Sequence, residues 1–195
     1  MKSTEWKRFA GPLLGPGWSF SKFLAYRIPV GWVLRGLYAE STRSGGFYLW
    51  DVAVPLYWPS DVLALSWSER VGGGSHRWDS DDVTAAAIGS AARTISGEER
   101  SSVLLDSLDG ADNVLKREAR AYGLIVESRA DEAINALSEV KRYAAEYPWE
   151  HNMVSRALAV SNQLVAGDLV GAQAVIARWR AGTAKALGIV LDDDH

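Results

Sequence analysis

The chain has 195 residues, of which 48% are hydrophobic, and a formal net charge of −3. This length and composition suit one large domain or two small ones, each with a true hydrophobic core. Cysteine is absent, which excludes a disulfide framework, thiolate zinc sites and a cysteine nucleophile, and fits a reducing compartment.

The first predicted element is a helix over residues 3–14. Trp6, Phe9 and Leu13 recur at the spacing of one buried helical face, and Gly15 begins a Gly-Pro-Gly stop. This N-terminal region has no apolar segment of signal-peptide length. The rest of the chain has no run of about 18 apolar residues that would span a membrane. We therefore expect a cytoplasmic protein without a membrane partner.

Strands are predicted next. Residues 20–28 form a first strand, which Pro29 ends because proline cannot donate to a ladder in mid-sheet. Residues 30–58 are the most aromatic stretch and read as two strands joined by the polar turn 42–46. Residues 63–69 alternate apolar with polar side chains and predict a fourth strand. These segments together predict a small antiparallel sheet.

From Asp79 onward the hydrophobic period changes from two to about 3.6, which indicates helices. Six are predicted, over residues 79–95, 96–108, 111–122, 130–147, 149–166 and 168–187. In the fifth, Met153, Ala157, Val160 and Leu164 are predicted to face inward. The predicted fold class is α+β: a small antiparallel β-sheet with an N-terminal helix, followed by an all-helical bundle of about six helices.

Charge and aromatic content divide the chain near the glycine run 72–74. Residues 1–78 carry nine Lys/Arg against five Asp/Glu, a net of +4, and seven of the nine Trp. Residues 79–195 carry twelve against nineteen, a net of −7. The two compositions predict an aromatic-rich helix-and-sheet unit at 1–78 and a helical unit at 79–195, with packing as one domain left open.

One segment could support catalysis. His76, Arg77 and Asp79 follow the glycine run, so an imidazole, a guanidinium and a carboxylate could share a mobile loop. This arrangement gives the alternative hypothesis of a small hydrolase or transferase. The simpler interpretation is a linker followed by a helix cap. No nucleotide-binding glycine motif and no serine-nucleophile elbow occurs, so no cofactor is predicted.

Two further acidic arrangements occur in the sequence. Glu40 and Asp51 lie on the central strands and could act as paired carboxylates, but Asp51 could instead form an ion pair with Arg35 or Arg27 across the ladder. His76, Asp79, Asp81 and Asp82 could supply metal ligands. They lack the spacing of a calcium loop, and no metal site is predicted.

The aromatic surplus predicts a binding surface. Trp and Arg are enriched at the energetically dominant positions of protein interfaces. The candidate binding residues are Trp32, Arg35, Tyr48, Trp50, Trp67, Arg77 and Trp78. We expect a protein partner rather than nucleic acid, because a net +4 over 78 residues is weak and the acidic second half would repel a polyanion. Burial of these rings against helices remains the alternative, and the oligomeric state is open.

Two resemblances extend this interpretation. Residues 7–57 contain Gly17-Trp18, Tyr26-Arg27-Ile28 and Gly46-Phe47-Tyr48-Leu49, and resemble small bacterial α+β domains of the immunity and defence-associated type. That resemblance implies a non-catalytic protein that binds another macromolecule, in an immunity or defence-accessory role. The last three predicted helices, with Asp131-Glu132-Ala133-Ile134 and Tyr147-Pro148, resemble tetratricopeptide-like helix hairpins. These imply either a peptide-binding groove or a plain bundle.

Overall fold

The computed structural model of the protein describes residues 2–43, 46–74, 82–95, 101–108, 113–143 and 147–191. The strands are Trp18–Ser21 (β1), Leu24–Arg27 (β2), Val33–Ser41 (β3), Phe47–Pro55 (β4) and Ser68–Gly74 (β5). The helices are Ser3–Leu14 (α1), Asp82–Thr94 (α2), Ser101–Leu108 (α3), Val114–Val126 (α4), Ala130–Lys141 (α5), Pro148–Val165 (α6) and Leu169–Leu187 (α7). The predicted α+β class is confirmed. No helix within these described ranges has the length and apolarity to cross a membrane.

The sheet is a meander in which strands adjacent in the chain are adjacent in space, in the order β1-β2-β3-β4-β5. The central strand β3 pairs with β2 so that Tyr26 lies opposite Gly36. A Cβ atom at Gly36 would collide with the carbonyl oxygen of Ala25. Glycine therefore allows an unusually close approach of two backbones at the middle of the sheet.

One face of the sheet carries a hydrophobic core. Its buried members come from α1, three strands, α2 and the residue that follows α2: Trp6, Ala10, Leu14, Ala25, Leu37, Ala39, Phe47, Leu49, Ile88, Ala91 and Ile95. In β3 and β4 these residues occupy alternate positions, as expected when every second side chain points to the same side. The α1 helix therefore covers this face of the sheet, and α2 joins it there. Within α1 the predicted face is wrong in one position, because Leu13 is 37% exposed while Leu14 is buried.

The prediction of one strand over residues 20–28 is wrong. The structure has a hairpin in which Ser21 of β1 pairs with Leu24 of β2, and a two-residue turn lies between them. Lys22 in this turn has φ 52°, in the left-handed region. Glycine or asparagine usually marks such a position, and a lysine gives no sequence signal for it.

The prediction of a strand over residues 63–69 is also wrong, by about five positions. Leu65–Trp67 forms a 3₁₀ turn, and the strand β5 follows it. Gly72, Gly73 and Gly74 pair with β4 and do not act as a linker. Gly73 has φ 93°, and a Cβ there would lie 2.7 Å from the Cα of Tyr48. The glycines therefore permit close strand pairing beside a register shift in the sheet.

The helices agree with the prediction in number and order, and differ at their ends. The four positions of α6 that were predicted to face inward are buried: Met153, Ala157, Val160 and Leu164. The α4 helix continues through Gly123 to Val126. A Cβ at Gly123 would lie 2.7 Å from Leu105 and 2.9 Å from the Tyr57 hydroxyl, so only glycine fits between these neighbours. This glycine serves packing and does not end the helix. The α5 helix ends at Lys141, six residues earlier than predicted.

The chain divides into two compact units. The first contains Met1–Val54, Asp61–Glu99 and Ala184–His195, and the second contains Pro55–Ser60 and Arg100–Thr183. The α2 helix thus groups with the sheet, and the short segment after β4 groups with the helices. The predicted boundary after residue 78 lies outside the described residues and stays a prediction.

Candidate functional site

The face of the sheet opposite α1 has a half-exposed aromatic end. Tyr38 and Glu40 on β3, and Tyr48 and Trp50 on β4, occupy the positions that alternate with the buried core residues. All four are partly buried, and Arg70 on β5 is exposed. Arg70 is paired with Trp50 in the ladder and so lies on the same face. We refer to these five residues as the aromatic face.

Contacts within the aromatic face hold its side chains in place. The indole Nε1 of Trp50 donates a hydrogen bond of 3.0 Å to a carboxylate oxygen of Glu40. The guanidinium carbon of Arg70 lies 3.9 Å from the centre of the Tyr48 ring, a cation–π arrangement. Burial, with the Glu40 charge as the smaller cause, raises the pKa of Tyr38 above its ordinary value of 10.0. The Tyr38 hydroxyl therefore stays protonated and can donate.

Arg35 belongs to the other face of the sheet. Its Nη2 lies 3.2 Å from Oδ1 of Asp51, and both side chains are largely buried. Burial raises the pKa of Asp51 above its ordinary value, while Arg35 opposes that shift. The ion pair suggested by the sequence is thus present. Because Glu40 and Asp51 lie on opposite faces, they do not act as a pair of catalytic carboxylates.

The other predicted binding residues are dispersed. Trp32 lies just before β3 and is partly buried. Trp67 lies in the 3₁₀ turn and is only 9% exposed. Arg77 and Trp78 fall outside the described residues. Of the predicted binding set, the structure brings Tyr48 and Trp50 together, on adjacent same-face positions of β4.

The predicted catalytic alternative cannot be placed, because His76, Arg77 and Asp79 lie outside the described residues. Asp81 of the metal candidates lies there as well, and Asp82 begins α2. Across the ranges that the structure describes, no three His, Asp or Glu side chains are grouped so that they could hold a metal ion.

A second polar cluster lies in the helical unit, centred on Glu118 of α4, whose side chain is 0% exposed. Its carboxylate accepts hydrogen bonds from Trp58 Nε1 at 2.6 Å and from the Tyr122 hydroxyl at 2.8 Å. Arg156 of α6 donates to both carboxylate oxygens, with the shortest contact 3.0 Å. We call these four residues the Glu118 cluster.

The Glu118 cluster holds the Pro55–Ser60 segment against the helices. Thr183 Oγ1 donates to the backbone oxygen of Trp58 at 3.2 Å and accepts from the backbone N–H of Ser60. Burial raises the pKa of Glu118 above its ordinary value of 4.5, with Arg156 the main opposing influence. A buried carboxylate that accepts five hydrogen bonds from three side chains is saturated by internal donors, so its geometry is that of a structural cluster.

Sequence reasoning missed two members of the aromatic face and all four members of the Glu118 cluster. Tyr38 and Arg70 complete the aromatic face, and Glu118 centres the buried cluster. Tyr38 and Glu40 are two positions apart on one strand, and Tyr48 and Trp50 are two positions apart on the next. This spacing is visible in the sequence and could have placed each pair on one face of the sheet. The position of Arg70 depends on the register of β5, and that of Glu118 on residues far away in the chain.

Comparison with protein-family models, with curated proteins and with solved structures yields no match to this chain. The resemblances drawn from residues 7–57 and from the last three helices therefore stay predictions.

Proposed function

We propose that the protein binds a protein partner through the aromatic face and catalyses no reaction there. The observation that carries this proposal is the arrangement of Tyr48 and Trp50 side by side on β4 with Arg70 stacked on Tyr48. Tyr, Trp and Arg are the residue types that dominate interface energetics. Because β-strands hold these side chains rigidly, little entropy is lost when a partner orders them.

The internal contacts support binding by the rings. Trp50 donates its only N–H to Glu40, so a partner that covers the indole does not strand an unsatisfied donor. Partial exposure leaves ring surface to bury, and each apolar Å² removed from water is worth about 25 cal/mol. A protein surface with an apolar pocket and a complementary charge fits this face.

Charge favours a protein over a nucleic acid. The aromatic face has one carboxylate, Glu40, and one guanidinium, Arg70, and these formal charges cancel. Binding to nucleic acid depends on several cations that neutralise phosphates. The Glu40 carboxylate, which lies next to Trp50, would repel the phosphates of a nucleic acid.

The finer version of the proposal is an immunity or defence-accessory role, in which the partner is a toxin or a component of a defence system. It is supported by the resemblance of residues 7–57 to bacterial domains of that type. If the role is immunity, co-expression should restore growth to cells that carry the toxin. Trp50→Ala should abolish that rescue while the protein still accumulates.

Site-specific crosslinking tests the coarser proposal. A photoreactive amino acid at position 48 should capture a discrete partner in host lysate, and mass spectrometry identifies it. The purified partner is then titrated against the wild type, Trp50→Ala and Arg70→Ala. Each substitution should weaken binding at least tenfold, as expected for loss of about 1.4 kcal/mol or more at a central position.

Trp149 provides the matched control. It is a tryptophan on α6, 47% exposed, and lies in the other unit. Crosslinking from position 149 should not recover the same partner, and Trp149→Ala should leave its affinity unchanged. Equal affinities for the wild type and Trp50→Ala would reject the aromatic face as the binding surface.

A further inference from the structure

A cleft of about 250 Å³ lies in the sheet unit, next to the aromatic face. Its walls are the β1–β2 turn, Leu24 of β2, Tyr38 of β3, the segment 61–63 and the end of α7. Tyr38 thus belongs both to the cleft and to the aromatic face. Leu24 lies directly opposite Tyr38 in the ladder, so the two side chains share one side of the sheet.

Hydrogen bonds within the chain hold the walls of the cleft together. Ser21 Oγ donates a hydrogen bond of 2.7 Å to the backbone oxygen of Leu187, which joins the hairpin to the end of α7. At Gly188, which has φ 68°, a Cβ would lie 2.8 Å from that same hydroxyl oxygen. The segment after α7 also contacts β2, because the backbone N–H of Val190 donates to the Tyr26 hydroxyl at 3.4 Å. The cleft is therefore preformed.

The interior of the cleft is mainly apolar and small. Phe23, Leu24, Leu63 and Leu187 contribute side chains to its lining. Pockets for drug-sized ligands have volumes of roughly 300–1,000 Å³. The cleft lies just below that range, so it suits a molecule about the size of one amino acid.

Three polar groups at the cleft have no partner within the described part of the chain. Lys22 and Asp61 are both exposed; they form no ion pair with each other or with another described residue, and Tyr38 likewise has no hydrogen bond to its hydroxyl. A cation, an anion and a neutral donor thus surround an apolar interior.

We propose that this cleft binds a free α-amino acid with an apolar side chain. Its carboxylate would contact Lys22 and the Tyr38 hydroxyl, its ammonium would contact Asp61, and its side chain would occupy the leucine-lined interior. An uncharged apolar molecule would leave both rim charges unused, and a simple anion or cation would use only one of them. The inference does not depend on the proposed protein partner.

Titration of the full chain with L-leucine, followed by calorimetry or by NMR of backbone amides, tests this site. The dissociation constant should be on the order of 1 mM, since a ligand of so few heavy atoms cannot bind much more tightly without exceptional contacts. Leucinamide lacks the carboxylate and N-acetyl-leucine lacks the ammonium. Each should bind about tenfold more weakly or not at all, and glycine should not bind because it lacks the apolar group.

Lys22→Gln and Asp61→Asn are the test variants, and Lys185→Ala is the control. Lys185 is an exposed lysine on the same helix as the cleft wall but does not line the cleft. The two test variants should weaken leucine binding at least tenfold, and the control should bind like the wild type. No binding of leucine at 20-fold above the expected constant, or binding that both test variants retain, would overturn the proposal. Trp50→Ala should leave the affinity for leucine unchanged. Failure of the amino-acid site can therefore be distinguished from failure of the proposed binding of a protein partner.

Discussion

The aromatic face and the Glu118 cluster use the same chemistry in opposite ways. In each, a tryptophan indole donates to a glutamate, Trp50 to Glu40 at 3.0 Å and Trp58 to Glu118 at 2.6 Å. Glu118 is fully buried and also accepts hydrogen bonds from Tyr122 and Arg156, whereas Glu40 is only partly buried. Internal donors saturate the Glu118 carboxylate, so that cluster stabilises the fold. The aromatic face keeps exposed ring surface, which a binding partner could cover.

The comparison is tested most strongly by Glu118→Ala. Removing this carboxylate leaves Arg156, Trp58 and Tyr122 without their common acceptor, and we expect a loss of about 3–5 kcal/mol in the free energy of unfolding. Glu139→Ala is the control, because its contact with Arg117 is 3.9 Å long and both side chains are exposed; it should cost about 0–1 kcal/mol. Chemical denaturation measures both, and equal losses would contradict the structural role of the cluster.

A matched pair of substitutions compares the two tryptophans directly. Trp58→Phe removes the N–H donor to a fully buried carboxylate and should cost about 1.5–3 kcal/mol. Trp50→Phe removes the same group from a half-exposed carboxylate that water can reach, and should cost less than about 1 kcal/mol. Thermal unfolding of the two variants under one buffer condition ranks them. The reverse order would show that exposure does not distinguish the two clusters.

The pH dependence of stability sharpens the comparison. Because the pKa of Glu118 in the folded state lies above its ordinary value of 4.5, the folded chain binds more protons than the unfolded chain just above pH 4.5. The stabilisation associated with this group is complete below pH 4.5 and is lost as pH rises through the folded-state pKa. Glu118→Gln should make this slope shallower. Urea midpoints at successive pH values measure it, and a slope unchanged in the variant would assign the effect to other groups, such as Asp51.

The smallest expected effect on stability is that of Arg70→Ala. An exposed cation–π contact is worth about 0.5–1 kcal/mol, so the free energy of unfolding should change by no more than that. The affinity for a partner should nevertheless fall at least tenfold. A binding defect without a stability defect is the expected signature of the aromatic face. A loss of stability above about 2 kcal/mol would instead make Arg70 a structural residue.

The elements of this fold were largely predictable because they depend on near neighbours in the chain. Alternation over residues 30–58 predicted β3 and β4, and a period of 3.6 predicted the helices that follow. The errors occurred where the local pattern was misleading. Lys22 occupies a turn position without a turn residue, and Gly72 to Gly74 lie in a strand despite a composition typical of a linker.

The side-chain clusters were less predictable, because the Glu118 cluster joins distant parts of the chain and Arg70 reaches the aromatic face only through the register of β5. The contact of Arg156 with Glu118 spans 38 positions and that of Trp58 with Glu118 spans 60. No periodicity relates residues at such separations. Tyr48 and Trp50, both in the predicted binding set, lie on one face of β4, while the pleat directs Arg35 of the same set to the opposite face.

By itself, the amino-acid sequence determined the fold class, the number and order of helices and the aromatic strand pair, since backbone preference and hydrophobic period are local properties. The tertiary structure alone decided which polar groups are buried and saturated, which remain open, and where a cleft forms. The physical reason is that desolvation and hydrogen bonding depend on whatever packs nearby, and packing brings together residues whose positions in the chain carry no information about one another.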